Sequence, residues 1–144
     1  MKPSDYQKYF KQLMKKYPLK IKIPVSLELP ETIQFEDRSP FGLATLNNKK
    51  IHLQVATQDR DPLLIFKTIA HEYRHAMQWI NMGWRSDNPS DPNMEHDANH
   101  FGQQIARLMY GYKKNGCNIP EHQVISSEPW APGKANHLVS ASVN

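Results

Sequence analysis

The chain has 144 residues, a length that suits one domain with a modest core. Hydrophobic residues make up 39% and the mean hydropathy is −0.69, so no run approaches a membrane span; the longest apolar stretch is Leu63 to Phe66. A single cysteine, Cys117, excludes an internal disulfide and a cysteine-built metal site.

The formal net charge of +4 is unevenly spread. Residues 1–50 hold ten Lys or Arg against five acids, whereas residues 61–102 hold three against six. A basic excess can favour nucleic acid, but no aromatic-interleaved motif accompanies these lysines. They read more simply as a solvated helix face, which leaves nucleic acid a weakly supported partner. The opening stretch MKPSDYQKYF lacks the apolar segment of a secretory signal, so a cytoplasmic, reducing location is the expectation.

Ser4 is placed to cap a first helix running to about Lys16. Tyr6, Phe10, Leu13, Met14 and Tyr17 recur at helical spacing, lysines lie between them, and Pro18 ends the pattern. Lys20 to Leu29 alternates as a strand does, and Thr32 to Glu36 continues the pattern after Pro30. The prolines argue for edges or breaks. Phe41 to Leu46 and Lys50 to Val55 read as two strands joined at Asn47-Asn48, residues that tolerate positive φ in a tight turn. In the second of these strands Ile51, Leu53 and Val55 point one way, His52 and Gln54 the other.

The stretch Asp61 to Gly83 predicts one helix, with Asp61 as N-cap, Pro62 at the first helical position and Gly83 suited to the left-handed residue beyond the end. Within it lies His71-Glu72-Tyr73-Arg74-His75, an HExxH motif. At 100° per residue His75 falls about 40° from His71 and Glu72 about 100°, so all three share an arc with Leu64, Thr68 and Trp79. Two imidazoles at i and i+4 can hold zinc, and the glutamate between them is placed to act as a base. Ile65, Phe66, Ile69, Ala70, Ala76, Met77 and Ile80 fill the core-facing arc, with Tyr73 on the same side. Lys67, Arg74, Gln78 and Asn81 are left to form a narrow wet strip.

A loop from Trp84 to Pro92 follows, then a second helix from about Asn93 to Lys114, closed by Gly116. Such a zinc site needs a third protein ligand. The second helix offers Glu95, which shares a face with Asn99; Asp91, His96, Asp97 and His100 compete. Ala98 is small enough to let this helix approach the first closely, and Phe101, Ile105, Leu108 and Tyr112 form its apolar side. His52, His122 and His137 are singletons, read as structural or exposed. Tyr110, Tyr112, His122 and His137 are unranked candidates to donate to a developing oxyanion. Trp79 either walls the site or fills the core. Cys117 has no base beside it and reads as inert. Residues 117–144, with Pro120, Pro129, Pro132 and Gly133, read as an irregular extension, partly ordered, that follows a domain of residues 1–116.

HExxH followed about twenty residues later by Glu95-His96-Asp97-Ala98-Asn99-His100-Phe101-Gly102 resembles the glutamate-ligand zincins, in particular the compact ImmA/IrrE-type metallopeptidases of bacteria and phages. The resemblance covers roughly residues 40 to 112. It implies an α+β fold with an N-terminal helix, a small antiparallel or mixed sheet, the motif helix and a second packed helix. It implies zinc held by His71, His75 and Glu95, Glu72 as general base toward a zinc-activated water, and Asn99 as a group orienting a ligand histidine. It also implies a cleft lined by the strand before the motif helix, whose edge takes an extended peptide. The expected activity is therefore that of a zinc metallopeptidase acting on a protein or peptide, with no membrane partner. The alternative is a catalytically silent, zinc-stabilised zincin fold that binds protein or nucleic acid. A metal-free structural protein is a third, weaker reading.

Overall fold

Apolar side chains returning every three or four residues bring the N-terminal segment into helix α1, Pro3–Lys16. Its N-cap is Lys2 rather than Ser4: Pro3 preorganises the first turn, and the Asp5 carboxylate accepts from the Lys2 N–H at 2.9 Å. Tyr6, Phe10, Leu13 and Tyr17 are buried as the stripe predicts. Tyr9, outside that stripe, is fully buried too and donates its hydroxyl to the Phe66 carbonyl at 3.0 Å. The structure is a computed structural model that describes residues 2–84 and 91–109. The middle of the expected loop, the proposed helix extension to Lys114 and the segment 117–144 lie outside the described residues.

Three short strands make one mixed sheet: β1 Val25–Glu28, β2 Gly42–Asn47 and β3 Lys50–Val55, in the order β1-β3-β2. β1 runs parallel to β3, with Val25 opposite Ile51, and β2 runs antiparallel to it, with Gly42 opposite Val55. The alternating stretch Lys20 to Leu29 is a strand over only its last part, between Pro24 and Leu29. Thr32 to Glu36 is not a strand; a single bridge links Phe35 to Arg38 across a turn in which Glu36 has φ 57. The hairpin turn lies one residue later than its sequence suggests, with Asn48 and Lys49 at φ 51 and 61, the signature of a primed turn. Ile51, Leu53 and Val55 are buried, as their alternation predicts.

Asp61 caps helix α2, Pro62–Ile80, by accepting from the Leu63 N–H at 2.8 Å, and Gly83 takes φ 69 beyond its end. Asp91 caps helix α3, Pro92–Leu108, by accepting from Asn93 N–H and Met94 N–H. The fold is therefore α+β. α2 is its hub, packed against α1, α3, β2 and β3. Ala98 is fully buried, and a Cβ on Gly102 would lie 3.0 Å from the Lys67 carbonyl and 3.6 Å from the His71 Cβ. These two small residues let α3 close on α2 at the level of the motif. No helix of the described residues is long and apolar enough to cross a membrane.

The expected wet strip of α2 is mostly dry. Arg74 is 2% exposed and Gln78 is fully buried, because α3 covers the strip that a single-helix projection leaves to solvent. Arg74 forms a two-pronged pair with Asp97, Nε to Oδ2 at 2.8 Å and Nη2 to Oδ1 at 3.1 Å, and its guanidinium lies 4.7 Å from the Phe101 ring centroid. Tyr73 faces the core as expected and donates its hydroxyl to the Tyr17 carbonyl. Removing one partner of a buried, hydrogen-bonded ion pair leaves an uncompensated charge, which costs about 3–5 kcal/mol. Arg74→Met is thus expected to lower the free energy of unfolding by that amount in equilibrium denaturation; a loss under about 1 kcal/mol would show that the pair is not buried as described.

Candidate metal centre

Three turns of helix bring the motif together. His71 and His75 lie one turn apart on α2, with ring centroids 4.9 Å apart and planes at 83°. The first turn of α3, held in register by the Asp91 cap, carries Glu95 across to them. Glu95 Oε2 is 3.2 Å from His71 Nε2 and Glu95 Oε1 is 3.1 Å from His75 Nε2, so one carboxylate spans both imidazoles. Glu72 stands beside them, its Oε2 3.8 Å from His71 Nε2. Candidate ligand atoms of His71, Glu72 and His75 lie within 4.8 Å of one another. Two carboxylates thus stand beside the imidazoles; Glu95 contacts both rings and Glu72 contacts one.

Gln78 sets the tautomer of the neutral His75 ring. Its Nε2 donates to the Met94 carbonyl at 2.9 Å and to Asp97 Oδ2 at 2.8 Å, which leaves its Oε1 to face His75 Nδ1 at 2.8 Å. An amide oxygen only accepts, so Nδ1 carries a proton and Nε2 presents its lone pair in the neutral ring. That tautomer is the one a metal requires. The family resemblance implies that Asn99 orients a histidine of the site; the group that contacts His75 Nδ1 is Gln78. Asn99 is exposed and lines the cleft instead.

The competing ligands are placed elsewhere. Asp91 is the α3 cap and Asp97 is paired with Arg74. His96 and His100 do not line the cleft. His52 lies on the opposite face of the sheet, with Nδ1 2.7 Å from Ser26 Oγ. Trp79 stacks on His75 at 6.3 Å and walls the cleft. The oxyanion candidates Tyr110, Tyr112, His122 and His137, like Cys117, lie outside the described residues.

A cleft of about 1110 Å³ holds these groups, bounded on one side by Gly42, Leu43 and Ala44 of β2. A Cβ on Gly42 would fall 2.5 Å from Glu72 Oε2 and 2.8 Å from Thr68 Cγ2, so the absent side chain is what gives Glu72 its room. β3, the strand directly before the motif helix, has a neighbour on each side and offers no edge. The edge beside the cleft is that of β2, whose outer side is unpaired among the described residues.

The charges respond strongly to one another. Burial alone would lower the His75 pKa, but the Glu95 hydrogen bond, the Glu72 and Glu95 charges and Gln78 outweigh it and raise the value to about 9. Burial would raise Glu95, yet hydrogen bonds from His71 and His75 hold it well below the carboxylate range. Glu72 is raised, chiefly by burial, with both histidines opposing and Glu95 adding to the shift. The donor types gathered here, two imidazole nitrogens and a carboxylate that contacts both, are of the kind that zinc takes.

No family model matches the chain, and no curated protein or solved structure matches it.

A raised His75 pKa contributes stability that is complete below 6.5, the ordinary value, and is lost as pH climbs through about 9. Glu72 acts in the same sense, because its ionisation in a buried place opposes folding as pH rises above 4.5. Glu95 acts at the acid end, where stability falls as pH drops below 4.5. Chelator-treated protein is thus expected to be most stable between pH 4.5 and 6.5. It should lose up to about 3 kcal/mol toward pH 9 in urea denaturation. A flat or rising profile over that range would overturn the hydrogen-bonded arrangement of His75 and Glu95.

Proposed function

We propose that the chain is a zinc-dependent metallopeptidase. The observation that carries this reading is the Glu95 carboxylate laid across the Nε2 atoms of both motif histidines, with Glu72 beside them. His71, His75 and Glu95 would hold the ion, and their donor types fit it. Bound zinc supplies Lewis acidity, which polarises a carbonyl and brings the pKa of water to about 7.

The chain's own residues do the rest. Glu72 is buried, and burial raises its carboxyl above the ordinary value, which strengthens it as a proton acceptor. It takes a proton from the attacking water and later delivers it to the nitrogen of the leaving amine. Gln78 keeps the His75 ring in a fixed orientation and tautomer. The free edge of β2 provides backbone N–H and C=O groups for an extended peptide, which would run along the cleft past Glu72.

The silent, zinc-stabilised binding module is the outcome that the central experiment separates. Purified wild type is expected to carry one zinc per chain by elemental analysis, and Glu95→Ala to lose it or bind it at least tenfold more weakly. Glu72→Gln should keep the zinc and lose hydrolysis of a peptide mixture by two orders of magnitude or more. Zinc retained by Glu95→Ala would remove Glu95 from the ligand set. Hydrolysis undiminished in Glu72→Gln would remove the general base, and zinc without hydrolysis in wild type favours the binding module.

Gly42→Ala offers a finer check. The added methyl must displace Glu72, the far end of a flexible side chain, and press on Thr68. Zinc content is expected to stay the same while turnover falls tenfold or more; unchanged turnover would show that Glu72 does not act from the position it holds beside Gly42.

A further inference from the structure

One end of the cleft holds a cation without a counterion. Arg60, between Asp59 and the α2 cap, lines the cleft and is half-buried. Its Nη1 donates to the Ala56 carbonyl at 2.8 Å, and its Nη2 donates to Thr68 Oγ1 at 2.7 Å and to the Leu64 carbonyl at 3.4 Å. All three acceptors are neutral, and no carboxylate pairs with Arg60 among the described residues. The guanidinium lies 4.3 Å from the Phe41 ring centroid, which fixes its plane. A guanidinium has five N–H donors, so Nε–H and one Nη1–H are left. Burial strips water from this group and lowers its pKa from the ordinary arginine value, though it stays charged. A positive charge held in place, partly desolvated and short of acceptors is ready for an anion.

Its position relative to Glu72 is set through Thr68. Thr68, which anchors Arg60, lies one helical turn before Glu72, and both side chains abut Gly42. Residues a turn apart stand about 5–6 Å from one another, the reach of one or two residues of extended chain. The apolar wall at this end is unusually bare: Phe41 is 64% exposed and Leu64 49%. Arg38 and Lys67 also line the cleft, as do the carboxylates of Asp59, Glu72 and Glu95.

We propose that Arg60, stacked on Phe41 and anchored by Thr68, is a specificity-determining residue that binds a peptide carboxylate within two residues of the bond to be cut. This rests on the peptidase reading for its place in catalysis, but the binding itself does not require turnover. The carboxylate is that of an Asp or Glu side chain or that of a C-terminus, and the two sources are separable.

The test uses the full chain and three blocked or free tripeptides: Ac-Ala-Glu-Ala-amide, its Gln counterpart, and Ac-Ala-Ala-Ala with a free C-terminal carboxylate. Affinities are measured by NMR titration with Glu72→Gln protein, so that nothing is cut during the measurement. One of the two carboxylate peptides is expected to bind at least tenfold more tightly than the Gln amide, with the preference shrinking as salt is raised. The peptide preferred identifies the source. Arg60→Gln should abolish the preference and Arg60→Lys keep part of it, with unfolding midpoints recorded to separate a folding defect from loss of the charge. Equal affinity for all three peptides, binding of none, or a preference that survives in folded Arg60→Gln would overturn the proposal. In parallel, cleavage of a mixed peptide library by zinc-loaded wild type reads the peptidase hypothesis alone. Discrimination in binding with no cleavage sinks the peptidase and leaves the subsite; cleavage with no acidic preference does the reverse.

Discussion

Almost everything about the metal centre depends on one buried contact, the Arg74–Asp97 pair between α2 and α3. The pair fixes how the two helices are rotated against each other. Asp97 also accepts from Gln78, which in turn orients His75. Glu95, two residues before Asp97, can span His71 and His75 only if that rotation is held. A charged pair in a core is costly to desolvate, and a well-packed apolar pair can be at least as stable. What this pair adds is direction: a two-pronged guanidinium–carboxylate contact has one good geometry, whereas apolar side chains slide.

The linkage also shows why polarity is spent so unevenly. Arg74, Gln78 and Asp97 are all buried, yet each side-chain nitrogen and oxygen buried among the described residues finds a partner. The network runs without a break from the Phe101 ring through Arg74, Asp97 and Gln78 to His75. A satisfied chain of this kind stiffens its surroundings, and a half-satisfied one is worse than none. The imidazole at its end is thereby held from behind in one orientation.

Much of this was legible in the sequence, and the remainder was hidden for a consistent reason. Periodicity placed the motif helix, its cap at Asp61 and the arc shared by His71, Glu72, His75, Thr68 and Trp79. The spacing of Glu95 placed it within reach of the histidines. Each of those features belongs to one element at a time. Arg74 and Gln78 were assigned to solvent because a helical wheel cannot show that a later helix will lie over them. The contact of Gln78 with His75 was hidden because it depends on how the two helices pack, not on residue type. The parallel pairing of β1 with β3 was hidden too, since alternation gives a strand its faces and says nothing of its neighbours. Arg60 carried no sequence signal, as its significance lies in the carboxylate it lacks.

The outer edge of β2 has one more consequence. Among the described residues it presents a row of unpaired backbone groups beside a cleft, and such a row can accept an extended segment of the right shape, including the same strand of another copy. The chain limits that hazard by modest means: the strand is six residues long, and its hairpin ends in Lys49 and Lys50, whose like charges discourage two such edges from meeting. Leu46, 38% exposed near the same end, works against this restraint. Pairing between two copies and occupancy of the cleft by an extended segment would therefore draw on the same backbone groups, so either would exclude the other.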